Sequence, residues 1–454
     1  MRLLVLLLVI LITAALTVFS ILRTPSFQVV AGRLAAGFLS KKLNTEVYLD
    51  RLRLSESLYL QINGLQVNDH HRNVMLKVDE LRLKADYFSI RDRLFRFDRV
   101  MLDSGRFILQ KYPGDSLLNL GVFLQGFQPD SVPEADTLPD RPWSFYCKEL
   151  LLNDFAFGIS QGPSEAPAEG IDFNDLFLSE IFVDLKEIAV IGDSVSSFVD
   201  HISCKEKSGL ELLHFSGDAR VSSSGIRLDQ GQVSTGQTGL DLDLAFLYDD
   251  YDDLSWFLDS VRINTILRSS LVTLSDIGYF APEMFKMDDP VMISGLISGT
   301  VSDFMARELF FKTGEFTEFR GEFGMKGLPD FDNSYITANI EEFVTTPEDL
   351  SSFNLPLEPS NLELPPQLKK LGFTTVKGNF AGYPLAFSTA LDISSDAGAL
   401  KLKGSLSDHT MPGTFVFEGD VTGEQIQLGD LLESKDLGMV NFELELDGNG
   451  SALE

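Results

Sequence analysis

Two adjacent histidines offer the most direct metal chemistry in the chain. His70 and His71 stand in the turn-like segment NDHHRN, and imidazole nitrogen is a common ligand of Zn²⁺. A histidine pair needs at least two further ligands to hold a metal ion, and the neighbouring sequence does not indicate them. We interpret the pair as a solvent-exposed turn between two strands, and we expect no metal there.

A run of acids offers oxygen ligands instead. Asp249, Asp250, Asp252 and Asp253 lie in the segment YDDYDDLSWFLD, where their carboxylates could bind Ca²⁺. Their spacing is not that of an EF-hand loop. Acids placed just before an apolar helical segment commonly cap its first turn and complement the helix dipole. We therefore expect these acids to cap a short helix.

The chain carries no recognisable catalytic motif. It has no nucleophile elbow, Walker loop, HExxH sequence or CxxC pair. Cys147 and Cys204 are its two cysteines, and they allow one disulfide at most. Their spacing matches no metal or redox motif, so two buried free thiols are the preferred interpretation. We predict no enzyme activity, no catalytic residue and no cofactor.

Charge divides the chain into two parts. The 454 residues have a formal net charge of −30. Residues 1–111 carry 17 Lys and Arg against 10 Asp and Glu, which leaves 20 against 57 for the remainder. A basic segment beside a membrane is attracted by anionic lipids. The acidic remainder argues against nucleic acid as a partner, and we interpret its acidity as a solvated outer surface.

An uncharged apolar stretch near the amino terminus suits a membrane span. It runs from Leu3 to Leu22 between Arg2 and Arg23, and as a helix it would be ~30 Å long, the thickness of a bilayer's hydrocarbon core. A cleavable signal peptide has a shorter apolar core of ~7–15 residues and a small-residue cleavage site. We predict a transmembrane anchor over residues 1–24, with an orientation that the flanking charges leave open.

The pattern after the anchor changes twice. Residues 25–45 are predicted to form an amphipathic juxtamembrane helix, since Phe27, Val30, Leu34 and Phe38 recur at helical spacing. Residues 46–127 form a basic β segment in which apolar residues alternate with polar ones.

An acidic region over residues 128–454 repeats the strand pattern. The segments GLDLDLAFLY, PLAFSTALDI, ALKLKGSL and FELELDG alternate apolar and polar residues, which is typical of antiparallel strands with one wet face. The spacing Gly-x-apolar-x-Gly occurs at 295–299, 378–382 and 419–423 and permits sharp twist or close approach. The predicted apolar lining consists of Leu240, Leu242, Leu244, Phe246, Leu385, Phe387, Leu391, Leu400, Leu402, Phe415, Phe417, Phe442 and Leu444.

These patterns predict a mainly β fold, an antiparallel sheet with a few short helices. So few helices could not cover the apolar face of such a sheet. The face must then pack on another sheet or line a cavity. A closed sandwich and an open, curled groove are both compatible with the sequence.

One stretch resembles a known family. VDELRLKADYFSIRDRLFRFDRVMLDSGRFIL, over residues 78–109, resembles the N-terminal region of the AsmA-like family, which follows a membrane helix. Later segments, including KEKSGLELLHFSGDARVSSSGIRL and GEFTEFRGEFGMKGLPDFDNSYITANIEEFVTTPEDL, look like the TamB branch found in Bacteroidota. The resemblance covers essentially the whole chain. Members are normally longer and end in a conserved C-terminal domain, so the chain is interpreted as an N-terminal fragment.

The resemblance implies a function at the bacterial envelope. It implies an anchor in the inner membrane, a body in the periplasm, and an elongated, curled antiparallel sheet whose groove carries phospholipid between the inner and outer membranes. It also implies a link to outer-membrane protein assembly, through a barrel partner of the TamA/BamA type. The alternative is a scaffold that does not carry lipid and that chaperones β-barrel proteins or autotransporters through exposed strand edges.

Four arginines form a candidate membrane-proximal basic set. Arg91, Arg93, Arg96 and Arg99 crowd into one short segment near the predicted anchor, where they could meet lipid headgroups. The simpler interpretation is that nearby acids such as Asp92 and Asp98 pair with them, in surface ion pairs worth ~0–1 kcal/mol each.

Overall fold

The computed structural model describes most of the chain as two units. The described residues are 24–43, 45–55, 59–89, 92–125, 142–162, 166–353, 364–408 and 414–451. The predicted membrane span at 3–22 lies outside them. Within these ranges, no helix is both long enough and apolar enough to cross a membrane.

The first unit ends at residue 216 and is built from long strands beside one helix of five turns. Its elements are α1 (Pro25–Leu43), β1 (Val47–Tyr48), β2 (Arg51–Leu54), β3 (Leu60–Asn68), β4 (Val74–Ser89), β5 (Leu94–Gln110), α2 (Asn119–Gln125), β6 (Ser144–Ser160), β7 (Asp175–Ile191) and β8 (Ser194–Glu206), and β9 (Glu211–Ser222) crosses into the second unit.

One strand pair of the first unit departs from the predicted antiparallel sheet. β5 and β6 pair in parallel, with Leu94 opposite Ser144 and Gln110 opposite Ser160. A parallel pair needs a long crossover, and the chain between β5 and β6, residues 111–143, is long enough for one; its described part includes α2. The fully antiparallel prediction is therefore wrong at this pair, while β3–β4, β4–β5, β6–β7 and β7–β8 are antiparallel.

The strands of the first unit change face together. In a regular strand, Leu81 would face away from Leu76 and Val78, because residues an odd number apart lie on opposite faces. All three nevertheless belong to or pack on one buried cluster. The pairing of β3 with β4 shows no register shift at residue 79 that would explain this. Positive φ values occur at the neighbouring positions Gly64, Ser104, Asp154 and Glu180. The bend is thus shared between strands, so Val78, Phe155 and Ile181 remain in one buried cluster.

The second unit begins at Gly217 and consists of consecutive strands with short helical turns between some of them. Its strands are β10 (Gly225–Ser234), β11 (Gly239–Leu247), β12 (Arg262–Thr273), β13 (Pro290–Gly299), β14 (Asp303–Thr313), β15 (Thr317–Lys326), β16 (Tyr335–Thr345), β17 (Thr374–Tyr383), β18 (Ala386–Ser395), β19 (Gly398–Asp408), β20 (Thr414–Gln427) and β21 (Met439–Ser451). Its helices are α3 (Phe257–Ser260), α4 (Leu274–Ile277), α5 (Pro347–Ser352) and α6 (Leu428–Leu431), with 3₁₀ turns at Tyr251–Trp256, Pro282–Met284 and Leu368–Lys370.

From β10 to β21, each strand pairs antiparallel with the next. Register shifts interrupt the pairs between β10 and β17 at adjacent positions. Gly295, Gly321 and Gly378 stand beside these shifts with φ values of 155°, 153° and 136°. Aligned bulges of this kind increase the twist of a sheet locally. The predicted mainly β fold, with a long antiparallel sheet and few short helices, is confirmed.

Candidate functional site

The second unit presents one apolar face, because its register sets the apolar positions of neighbouring strands side by side. Leu391 pairs with Leu402, which pairs with Val421 and then Leu444. A parallel row contains Ile293, Phe311, Phe319, Phe343, Val376, Ile393 and Leu400. We call this surface of β13–β21 the apolar face.

On β17 to β21 the opposite face is polar. One row runs through Lys377, Asp392, Lys401, Thr422 and Glu443 in directly paired positions. Oppositely charged neighbours across strands stabilise such a surface modestly. Charged residues thus lie on a wet face of these strands, while the apolar residues lie on the other face.

The structure gathers the predicted lining residues on the apolar face and its continuation onto β11. Those in regular strand positions are Leu242, Leu244, Phe246, Phe387, Leu391, Leu400, Leu402, Phe415, Phe417, Phe442 and Leu444. Leu240 stands two positions before Leu242 on β11 and therefore shares its side. Leu385 lies in the turn between β17 and β18, where its side chain is 62% exposed.

Coverage of the apolar face changes across the unit. Ala306, Leu309 and Phe319 form a buried cluster on β14 and β15. Leu444, on the last strand, is 48% exposed. Each described strand packs chiefly on its hydrogen-bonded neighbours. No second sheet of the described chain therefore covers the end of the apolar face at β20 and β21.

A shallow depression of about 570 Å³ opens on the other face of these strands. Asn379, Ala390, Lys403 and Asp420 line it. Its charged lining does not suit a hydrocarbon chain.

The structure describes three of the four arginines predicted as a basic set, and their contacts differ. Arg99 makes an ion pair with Glu149, and the guanidinium of Arg96 lies 5.6 Å from the ring centroid of Tyr146. The backbone carbonyl of Arg93 accepts a hydrogen bond from Ser144. Arg91 lies outside the described residues. The guanidinium of Arg99 therefore pairs with a carboxylate on the neighbouring strand, whereas that of Arg96 lies against an aromatic ring.

An aromatic cluster lies at the start of β5 and β6 and was not predicted from the sequence. It consists of Phe88, Phe95, Trp143 and Phe145. The ring centroids of Phe95 and Phe145 are 5.0 Å apart, and Phe88 and Trp143 lie 4.9 and 5.4 Å from Phe95. Phe88 is 58% exposed and Trp143 42%. We call these four residues the aromatic cluster.

The chain enters the first unit at the same end of the strands. α1 starts at Pro25, and the side-chain oxygen of Gln28, in its first turn, accepts a hydrogen bond from Arg53 near the end of β2. β2 ends opposite the start of β3, and β3 starts opposite Leu83 in the second half of β4. The aromatic cluster and the first turn of α1 thus lie toward one end of this unit.

α1 turns three of its large apolar side chains away from the sheet. Gln28 and Ala36 are buried, whereas Val30, Leu34 and Phe38 are 50%, 71% and 70% exposed. Gly32 faces the backbone of Leu49, Arg51 and Leu52, at the start of β2. The predicted helix is present. Gln28, Ala36 and Leu39 contact the protein, and Val30, Leu34 and Phe38 point outward.

The histidine pair has a third partner that the sequence did not indicate. His70 Nε2 lies 2.7 Å and His71 Nε2 3.3 Å from Oδ2 of Asp115. Asp115 is 45 residues further along the chain, in the segment between β5 and α2. The hydrogen bond from His70 lowers the pKa of the Asp115 carboxyl. These three residues are the one group of potential metal ligands found within the described ranges.

The remaining candidates have structural roles. Asp250 caps the 3₁₀ turn at Tyr251–Trp256 by accepting a hydrogen bond from the backbone nitrogen of Asp252, so the predicted cap is confirmed. Cys147 and Cys204 are free thiols, and burial raises the pKa of both.

Comparison with known proteins finds no relative of this chain. No family profile, curated protein or solved structure matches this chain. The resemblance to the AsmA-like family therefore rests on the quoted sequence segments alone.

Proposed function

We propose that this protein is tethered to a bacterial inner membrane and carries phospholipid acyl chains on the apolar face of its sheet. The observation that supports this proposal is the apolar face itself: directly paired apolar residues run from β13 to β19, and the face is exposed on β20 and β21 at Phe417, Leu444 and Leu446 by 40%, 48% and 40%. Large apolar side chains that are exposed side by side mark sites of interaction with lipid or protein. The mechanism is binding without chemistry.

The energetics favour a hydrocarbon partner. Burial of one methylene group stabilises a complex by ~0.8 kcal/mol, so about ten methylenes laid along the exposed end of the face would contribute ~8 kcal/mol before ordering costs. The lipid would lie across the open side chains of β20 and β21 instead of entering an enclosed cavity. Its headgroup would remain in water beside the polar face.

Features of the first unit support a membrane location. The uncharged stretch at 3–22 is long enough to span a bilayer, and α1 directs Val30, Leu34 and Phe38 outward. The aromatic cluster lies toward the end where α1 begins, and aromatic side chains favour the interface between membrane and water. The resemblance to the AsmA-like family adds the inner membrane, the periplasm and transport towards the outer membrane to the proposal.

Site-specific photocrosslinking tests the proposal with a matched control. A benzophenone amino acid replaces Leu402 or Leu444 in the full chain, or their neighbours Lys401 or Glu443, which lie on the polar face. After irradiation in cells, mass spectrometry should find phospholipid adducts at the first two positions and not at the last two. Equal labelling on both faces, or no lipid on the apolar face of the folded protein, would contradict the proposal.

An exposed strand edge supports a second candidate function. Among the described strands, β21 pairs with β20 alone, and an unpaired edge can accept a further strand. A scaffold that assists outer-membrane β-barrel proteins would use this edge, with a TamA/BamA-type barrel as its partner. It predicts protein crosslinks along β21 in place of lipid adducts at Leu402.

A further inference from the structure

We propose that His70, His71 and Asp115 form a binding site for a divalent transition metal of the Zn²⁺ class. The three potential ligand atoms lie within 4.8 Å of one another. Ligands bonded to Zn²⁺ at ~2.0–2.1 Å stand about 3.3 Å apart in a tetrahedral site. Small side-chain movements would therefore close the group around an ion.

The two imidazoles converge on a single carboxylate oxygen. Each neutral ring must present an N–H at Nε2 to hydrogen-bond Oδ2 of Asp115. A metal ion would use the same nitrogens and the same carboxylate as ligands, and each neutral ring would then carry its single proton on Nδ1 instead of Nε2. Two imidazoles and one carboxylate, with water in the fourth position, are a common ligand set for Zn²⁺.

The site is open on one side. The side chains of His70, His71 and Asp115 are 29%, 45% and 24% exposed. Water can therefore reach a bound ion and complete its coordination. The ion would also clamp the turn after β3 to the segment before α2, which joins two parts of the chain more than 40 residues apart.

The turn that carries the histidines is held in place by buried polar groups. Asp69 is 4% exposed, and its Oδ1 accepts hydrogen bonds from the backbone nitrogens of His71 and Asn73, both at 2.9 Å. Its Oδ2 accepts bonds from the hydroxyl of Tyr112 at 2.6 Å and the amide of Asn119 at 3.2 Å. The histidine backbone is therefore fixed before any ion binds.

Tyr112 connects this support to the ligands. Its ring lies 4.2 Å from the ring of His71, centroid to centroid. Its backbone carbonyl accepts a hydrogen bond from the backbone nitrogen of Asp115 at 3.0 Å. Supporting groups of this kind orient metal ligands and commonly contribute about 10–100-fold in affinity. Asp69 and Tyr112 are thus positioning residues of the site.

Titration of the full chain in detergent with Zn²⁺ alone tests the site. Competition with a fluorescent chelator should show one tight ion per chain, and the double variant H70Q/H71Q or the variant D115N should weaken its binding by more than the about 10–100-fold that loss of a supporting group costs. The variant Y112F keeps the ring and all three ligands but loses the hydroxyl that donates to Asp69, and it should weaken Zn²⁺ less than removal of a ligand does.

A second histidine pair provides the matched control. Nδ1 of His201 lies 2.7 Å from Nδ1 of His214, and within the described ranges no carboxylate or thiol joins the two as a third metal ligand. H201Q/H214Q removes the same number of imidazoles and should leave the tight Zn²⁺ site intact. Co²⁺ should give visible absorption bands that H70Q/H71Q abolishes and H201Q/H214Q keeps. Unchanged Zn²⁺ affinity in folded H70Q/H71Q, or an equal loss in the control, would overturn the proposal.

Discussion

Phe95 stacks on Phe145 with an interplanar angle of 4° and 5.0 Å between ring centroids. The two residues start neighbouring strands that run in parallel, and residue 95 is directly opposite residue 145. Their contact therefore depends on the one parallel pair observed in the described sheet. It builds an aromatic cluster, partly exposed, toward the end of the first unit where the chain enters α1.

Trp143 should report contact between this cluster and lipid. The chain has two tryptophans, so the variant W256F leaves Trp143 as the sole tryptophan emitter. In nanodiscs, brominated lipids should quench the emission of W256F, because an aromatic ring at the interface lies close to the acyl chains. The measurement is the ratio of tryptophan fluorescence with and without brominated lipid.

The reciprocal variant is the control. W143F retains Trp256, which is 72% exposed and belongs to the second unit. If equal quenching occurs in both variants, or if W256F shows none, the aromatic cluster has no special contact with lipid.

Arg99 should behave differently from Arg96. Glu149 bonds both Arg99 and Lys186, with Lys186 Nζ 2.8 Å from Oε1, and these contacts, above all the hydrogen bond from Lys186, hold the pKa of Glu149 below its ordinary value. R99E places two carboxylates together and should lower the midpoint of urea denaturation. R96E should leave that midpoint nearly unchanged and should reduce retention of anionic lipid during purification. Equal effects of the two changes on both measurements would instead support the predicted single basic set.

The sequence predicts well which face of a strand a residue occupies. It predicts poorly which residues far apart in the chain come into contact. Alternation places Leu402 and Lys401 on opposite faces, because strand geometry has a period of two and needs no knowledge of the partner strand. It could not find Asp115 beside His70, since a crossover and a turn separated by more than 40 residues create that contact. The parallel pairing of β5 with β6 was not predicted, for the same reason. The apolar residues of VMLKVDELRLKADY change phase near residue 79, but neighbouring strands share the cause of this change.

Gly378 should resist substitution by alanine. It has a φ of 136°, and a Cβ atom there would lie 1.9 Å from the carbonyl oxygen of Ala390 on the paired strand. G378A must therefore strain or separate β17 and β18, at a cost of about 2 kcal/mol or more. Urea denaturation followed by circular dichroism measures the loss.

Gly239 is the matched control on another strand of the same unit. No heavy atom lies within 4 Å of the position that its Cβ would occupy. G239A should therefore change stability by much less than G378A. A similar loss in both variants would show that the close approach at Gly378 is not the cause.

Asp349 should make the hairpin between β14 and β15 sensitive to acid. Its Oδ2 accepts hydrogen bonds from the backbone nitrogens of Phe316 and Thr317 at 2.7 and 2.8 Å. Burial alone would raise the pKa of this carboxyl, but these hydrogen bonds, with the one from Glu315, hold it below the ordinary value of 3.8. When the pKa of a carboxyl is lower in the native state than in the unfolded state, its ionisation stabilises the fold. This contribution is complete above the pKa of the unfolded state and is lost as the pH falls through the native pKa.

Hydrogen exchange at Phe316 and Thr317 measures this contribution directly. In D349N the neutral amide replaces a charged acceptor, and a hydrogen bond to a charged group contributes ~1.5–3 kcal/mol, so exchange at these two positions should be about tenfold faster or more at pH 7. The difference between D349N and the parent chain should shrink as the pH falls below 3.8, because the parent carboxyl also becomes neutral. D332N, which changes an exposed acid in another loop, should leave exchange at Phe316 unchanged. Equal protection in D349N and the parent chain at pH 7 would mean that the carboxylate does not hold the hairpin.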